Sequence, residues 1–178
     1  MTGAMSNPDF SDLPLCGDLD MRIARDGTWF YRGSPIARKP LVKLFSTVLR
    51  REDDGAYWLV TPAERGRVQV DDAPFTAVEL MASGTGQEQV LSFRTNVDDI
   101  VTVDARHPIH VDYVTGKDEP SPYVAVRDGL DALILRSVFY HLVALGEARR
   151  MQEREVFGVW SKGDFFPLGT LERSETAS

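Results

Sequence analysis

The 178 residues, 43% of them hydrophobic and 26% charged, suffice for one sizeable core or two smaller ones, and their composition excludes fibrous and extensively disordered classes. A net charge of −7 opposes generic attraction to nucleic acid or anionic lipid, and the longest apolar runs, 133–135 and 142–145, fall far short of the roughly 20 residues that a membrane-spanning helix needs. The single cysteine, Cys16, removes any intramolecular disulfide framework, and the first residues lack a basic cluster followed by an apolar stretch, so cytoplasmic residence is expected.

Residues 1–17 show no periodicity and read as a flexible arm, with the fold starting near Leu19. Met21 and Ile23, then Trp29 and Tyr31, alternate around Asp26-Gly27 and predict a hairpin that ends at Gly33-Ser34-Pro35. Pro40 fits only in a first helical turn, so a helix is predicted from about Arg38, with an apolar stripe of Leu41, Leu44, Phe45, Val48 and Leu49. Arg50 and Arg51 suit its negative pole, and Asp53-Asp54-Gly55 stops it. Tyr57 to Val60 reads as a strand closed by Thr61-Pro62, and further strands are predicted near 67–70, 75–82, 88–94, 99–103, 108–114 and 122–127. Gly84-Thr85-Gly86 lacks the strand-to-helix context and the lysine of a phosphate-binding loop and reads as a turn. A second helix is predicted over 130–148, with Asp128 as its N-cap; its apolar residues wrap most of the circumference, which predicts a central helix contacted on several sides. Val156 to Trp160 and Phe165-Phe166 form a last hairpin about Lys162-Gly163-Asp164, and residues beyond about 170 are expected to fray as a tail over 171–178.

Two segments repeat an order of parts: a strand, Arg-Asp-Gly (25–27 and 127–129), an apolar helix, and an aromatic-bearing strand. The expected class is therefore α+β, built by duplication from two β-rich units, 18–80 and 81–170, each with one packed helix. The stretches DGTWFYRGSPIARKPLVKLFSTVLRRE, YWLVTPAERGRVQVDDAPF, LSFRTN, HPIHV and YVAVRDGLDALILRSVFYHLV resemble the bacterial proteins of the domain of unknown function 1285 (DUF1285) family, over about 18–168. The resemblance implies a duplicated core, a C-terminal unit similar to pleckstrin-homology-like folds, a binding site where the units meet, a nucleotide-like ligand and a role in signal transduction. It brings no catalytic residues.

Arg136 interrupts the most apolar segment, and a guanidinium cannot shed its charge, so it either reaches an internal carboxylate such as Asp72, Glu79 or Asp99, snorkels to water, or holds an anionic ligand. With Tyr140 one turn along and Arg94 and Asn96 on a nearby loop, it forms the first candidate site, for a small anionic molecule. Trp29, Tyr31 and Trp58 with Arg32 and Arg38 form a second, an aromatic and basic surface, although core packing accounts for at least two of the three aromatics. His107 and His110 are three apart in a strand and so point to opposite faces, which argues against a shared metal; Ser137 and His141, four apart on a helix, lack a nucleophile elbow.

These features favour a ligand-binding or sensory module without cofactor, metal or catalysis, its small anionic, nucleotide-like ligand held between the two units and no nucleic acid or membrane as partner. The rival is a protein-interaction adaptor that docks a protein partner through strand edges or the Trp-bearing hairpin, and a hydrolase has only the histidine groupings behind it.

Overall fold

A computed structural model of the chain describes residues 15–113 and 119–171, and its contacts divide it into two units, the first ending at Asp71 and the second beginning at Asp72. A division at 80/81 would cut a strand that is continuous from Phe75 to Ser83. The expected arm at 1–17 and tail at 171–178 fall mostly outside the described residues; within them, the first strand already begins at Leu15 and the last ends at Leu171.

In the first unit, β1 (Leu15–Ile23), β2 (Trp29–Tyr31) and β3 (Ser34–Pro35) precede α1 (Lys39–Thr47), and β4 (Leu49–Arg51), β5 (Tyr57–Val60) and β6 (Arg65–Val70) follow it. They form one sheet in the order β3-β2-β1-β6-β5-β4, antiparallel except where β1 meets β6 in parallel. The predicted hairpin holds in register, Met21 facing Tyr31 and Ile23 facing Trp29, because Gly27 adopts φ 90° and the Asp26 carboxylate accepts the Thr28 N–H at 2.9 Å. Pro40 sits in the first turn of α1 as expected. The helix is shorter than its apolar stripe suggests: Leu49 belongs to β4, where it is fully buried, and Leu44 is 62% exposed. Arg50 serves the helix end nonetheless, donating from Nη1 to the carbonyls of Thr47 and Leu49.

The second unit contains β7 (Phe75–Ser83), β8 (Val90–Thr95), β9 (Ile100–Thr102), β10 (Ile109–Asp112), β11 (Ser121–Arg127), β12 (Leu130–Ile134), α2 (Arg136–Ala144), β13 (Glu147–Met151), β14 (Arg154–Ser161) and β15 (Asp164–Leu171). Its larger sheet runs β10-β11-β12-β7-β8-β9, again with one parallel pairing, β12 with β7; the last three strands form a separate antiparallel sheet. Two buried hydrogen bonds tie the sheets together: the Ser161 hydroxyl accepts from Leu91 N and donates to Val103 O.

The helix expected over 130–148 is corrected to a strand followed by a nine-residue helix. Asp128-Gly129 is not a helix start but the turn joining β11 to β12, with Gly129 at φ 70°. Residues 130–134 read as helical because a strand buried on both faces carries a nearly continuous apolar run, which periodicity cannot separate from a buried helix. The remaining helix is not central. Val138 and Leu142, four residues apart, face the core, while Tyr140 and His141 are exposed.

The two large sheets share one plan. Each joins two three-stranded meanders, β1–β3 with β4–β6 and β7–β9 with β10–β12, through a parallel pairing of its first and last strands. The helices differ in place: α1 links the two meanders of its unit, whereas α2 follows the sixth strand. The Arg-Asp-Gly segments are not equivalent either, since 25–27 turns β1 into β2 and 127–129 turns β11 into β12.

Candidate functional site

The first unit contains a cleft of about 450 Å³ between α1 and the sheet face that it covers. Leu41, Phe45 and Val48 come from the helix side at spacings of four and three, and Leu19, Met21 and Leu59 from the strands. Tyr31 and Ile36 continue the wall, so the lining is almost wholly apolar. Trp29 supports it from behind: its ring, 1% exposed, stacks on Phe45 with centroids 6.3 Å apart. Gly66 is needed here, because a Cβ at that position would lie 2.2 Å from Leu19 Cγ. At the far turn, the Thr61 hydroxyl donates to Glu64 O and accepts from Glu64 N, fixing the β5–β6 connection that completes the lining.

The polar surroundings of this cleft are uneven. Arg32 lies at the β2–β3 turn with its guanidinium 5.2 Å from the Tyr31 ring centroid, and Arg38 is the exposed N-cap of α1, its carbonyl accepting from Leu41 N. Arg65, which also lines the cleft, is buried, stacked 4.4 Å over Trp58 and paired with Glu52 through Nη1, while its Nε has no hydrogen-bond partner among the described residues. Trp29 and Trp58 are both core residues, in line with the core packing expected of two of the three aromatics, and Tyr31 is exposed. A second depression in this unit, about 720 Å³, is lined largely by polar groups including Asp18, Asp20 and Arg67. Its Arg22 is engaged by Asp71, whose carboxyl the guanidinium hydrogen bond holds below the usual range.

The other four candidate residues lie in the second unit, and their charges are already matched. Arg94 on β8 pairs with Glu79 at 2.8 Å and Asp98 at 3.1 Å, and Asn96 accepts the Thr76 N–H through Oδ1. Arg136 does not penetrate the core; it opens α2 at the surface, donates from Nε to the Tyr140 hydroxyl at 2.6 Å and pairs with Glu119 at 3.0 Å. None of the expected internal carboxylates is its partner in these pairs: segment 130–134 is apolar because it is a buried strand, and Arg136 comes after it.

His107 and His110 separate, though not by strand alternation: His107 closes the turn from Asp104 that precedes β10, and His110 lies on β10 itself. His107 Nδ1 lies 3.0 Å from Asp104 Oδ1, whereas His110 stacks on Tyr123 at 5.2 Å. The Tyr123 hydroxyl donates to Asp72 at 2.6 Å, and burial first, then that carboxylate, push its pKa up to about 12. Among the described residues no three His, Cys, Asp or Glu side chains are grouped to hold a metal ion. Ser137 and His141 are both exposed on α2.

The two units coincide with two family models: "Domain of unknown function (DUF1285), N-terminal domain" matches residues 10–73, and "Protein of unknown function (DUF1285), C-terminal domain" matches 74–168. The chain belongs to the DUF1285 family. A solved DUF1285 family protein from Silicibacter pomeroyi DSS-3 is 49% identical, with 90% of this chain and 85% of that chain covered and a TM-score of 0.82. A DUF1285 family protein from Shewanella baltica OS155 is 27% identical over 70% of this chain and 90% of that one, with a TM-score of 0.55. No curated protein matches the chain. No helix among the described residues is long and apolar enough to cross a membrane.

Within this DUF1285 chain, Trp29 is a candidate that the fold sets against the α1 cleft through its stack on Phe45, whereas Arg38 is the N-cap of α1 and is not among the residues that line the cleft. The apolar lining itself was missed. The stripe of α1 and the alternation of β1 announce two faces that will meet, but not that their side chains leave space between them.

Proposed function

We propose that this protein is a non-catalytic, sensory ligand-binding module whose site is the cleft beneath α1. The observation that supports the reading is the cleft itself: its volume lies within the roughly 300–1,000 Å³ of small-molecule sites, and apolar walls with a few polar groups at the rim are what such sites present. The candidate cations of the second unit support it less, because a ligand at Arg94 or Arg136 would have to displace carboxylates already in place. A role in signalling follows if occupancy changes how α1 sits on its sheet.

The test is thermal-shift screening of the whole chain against amphipathic metabolites and nucleotides. A ligand present at 100 times its Kd should stabilise the fold by about 2.7 kcal/mol. Leu41→Trp, which fills the cleft from a partly exposed position, should abolish that gain while leaving the unliganded melting temperature within a few degrees. Stabilisation that persists in Leu41→Trp would place the site elsewhere.

One observation favours an adaptor as the second reading: β13 is a sheet edge in which all five residues, Glu147–Met151, are exposed, and such an edge can accept a partner strand. Ala148→Pro should then abolish partner capture without affecting small-molecule binding.

A further inference from the structure

Resting on that reading of the cleft, we infer the chemical class of its ligand: a small uncharged molecule, hydrocarbon over most of its surface, lying between α1 and the sheet. The residues that line the cleft carry the inference. Leu41, Phe45 and Val48 on the helix side and Leu19, Met21 and Leu59 on the strands offer a ligand dispersion contacts and the removal of apolar surface from water. Four described side chains of the lining bear nitrogen or oxygen: Tyr31, Thr61, Glu64 and Arg65. The Thr61 hydroxyl is engaged on both sides by the Glu64 backbone, donating to its carbonyl and accepting from its N–H. Arg65 is the buried charge among them, and Glu52 already neutralises it. Glu64 is exposed, where an ion pair adds little, and it already interacts within the chain. A net charge brought between these walls would lose its hydration and find no buried counter-charge that is not already matched.

A second observation shows that the cleft has apolar surface left to cover. Tyr31 on β2 and Leu41 on α1, both in the lining, are 45% and 36% exposed, so the fold leaves large apolar side chains wet on the strand side and on the helix side of the same opening. A molecule seated there removes that surface from water. The other depression of this unit has the opposite chemistry, with Asp18, Asp20, Arg67 and Gln69 in its lining. A charged or many-hydroxyl molecule has partners there that the α1 cleft does not offer.

Calorimetric titration of the full chain at neutral pH with 1-adamantanol, 1-adamantanecarboxylate, 1-adamantanamine and cyclohexanol tests this. The first three share one rigid hydrocarbon body, so only the charge of the head varies among them. The alcohol should bind roughly tenfold or more tightly than the carboxylate and than the ammonium, because either sign of charge meets the same desolvation cost. It should also bind roughly tenfold or more tightly than cyclohexanol, whose smaller body buries less apolar surface. Leu41→Trp should abolish binding of 1-adamantanol, and the unliganded melting temperature measured alongside reports that the fold is kept. A carboxylate or an ammonium that binds as tightly as the alcohol, and is lost in Leu41→Trp, overturns the uncharged class but leaves the cleft as a site. Cyclohexanol matching 1-adamantanol overturns the hydrocarbon body. No binding by any of the four probes, or binding that persists in Leu41→Trp, removes the cleft reading, and this inference with it.

Discussion

Trp29 contributes volume and nothing polar. Its ring is buried against Phe45, and its Nε1 has no hydrogen-bond acceptor among the described residues. Burying an unpaired donor costs about 1–3 kcal/mol, so Trp29→Phe, which deletes the donor and keeps much of the ring, should cost less than about 1.5 kcal/mol in urea unfolding, whereas Trp29→Ala should cost about 3–5 kcal/mol. Tyr123 behaves oppositely, since its hydroxyl has a partner. Its pKa of about 12, against an ordinary value near 10, means that the neutral phenol is favoured in the folded state; the associated stability is complete below pH ~10 and is lost as pH rises towards 12. Spectrophotometric titration should show one of the five tyrosines ionising late, and Tyr123→Phe should remove both that step and its share of the alkaline loss of stability. At this scale the sequence was informative about residue type and poor about burial. Arg136 looked buried because its neighbours in the chain are apolar, yet those neighbours form a strand and Arg136 opens the next element.

Two glycines show how elements are fitted together. Gly158 sits where the β14–β15 register shifts, and a Cβ there would lie 2.4 Å from the Phe166 carbonyl oxygen, a backbone atom that cannot swing aside. Gly158→Ala should therefore destabilise the second unit by at least the ~1–3 kcal/mol of an overpacked core. At Gly66 the three atoms nearest an added Cβ all belong to the Leu19 side chain rather than to backbone, and Leu19 lines the α1 cleft, so in Gly66→Ala that lining must shift. That variant should bind the cleft ligand less tightly, with a smaller loss of stability than Gly158→Ala; calorimetry and urea unfolding measured together check both halves. Turn chemistry made most elements legible: Asp26-Gly27 and Lys162-Gly163 each mark a hairpin that the structure contains. The short strands β3, β4 and β13 were not legible, because two to five residues carry too little pattern of their own and depend on pairing with neighbours. The second Asp-Gly was read as a cap because a turn and a helix start draw on the same residues.

Each unit of the molecule has its own sheet, helix and buried side chains, with Ile23, Trp29 and Leu49 in the first and Phe75, Phe93 and Leu142 in the second. A fragment spanning 72–178 should consequently unfold in a single cooperative urea transition; a broad, non-cooperative loss of circular dichroism would show that its core is incomplete. Duplication was legible as an idea and misaligned in detail, since what repeats is the joining of two meanders rather than the order of an Arg-Asp-Gly turn and a helix. That joining governs how the chain can be made. The first strand of each six-stranded sheet has, as its permanent neighbour on one side, the strand that comes last in the chain order of that sheet, so a growing polypeptide leaves the ribosome with that flank of β1 open until β6 emerges. The N-terminal half can then complete itself before the second sheet is translated, and the exposure begins again with β7, which waits for β12. Synthesis thus passes through two separate intervals of vulnerability to aggregation, each ended by the arrival of a single strand.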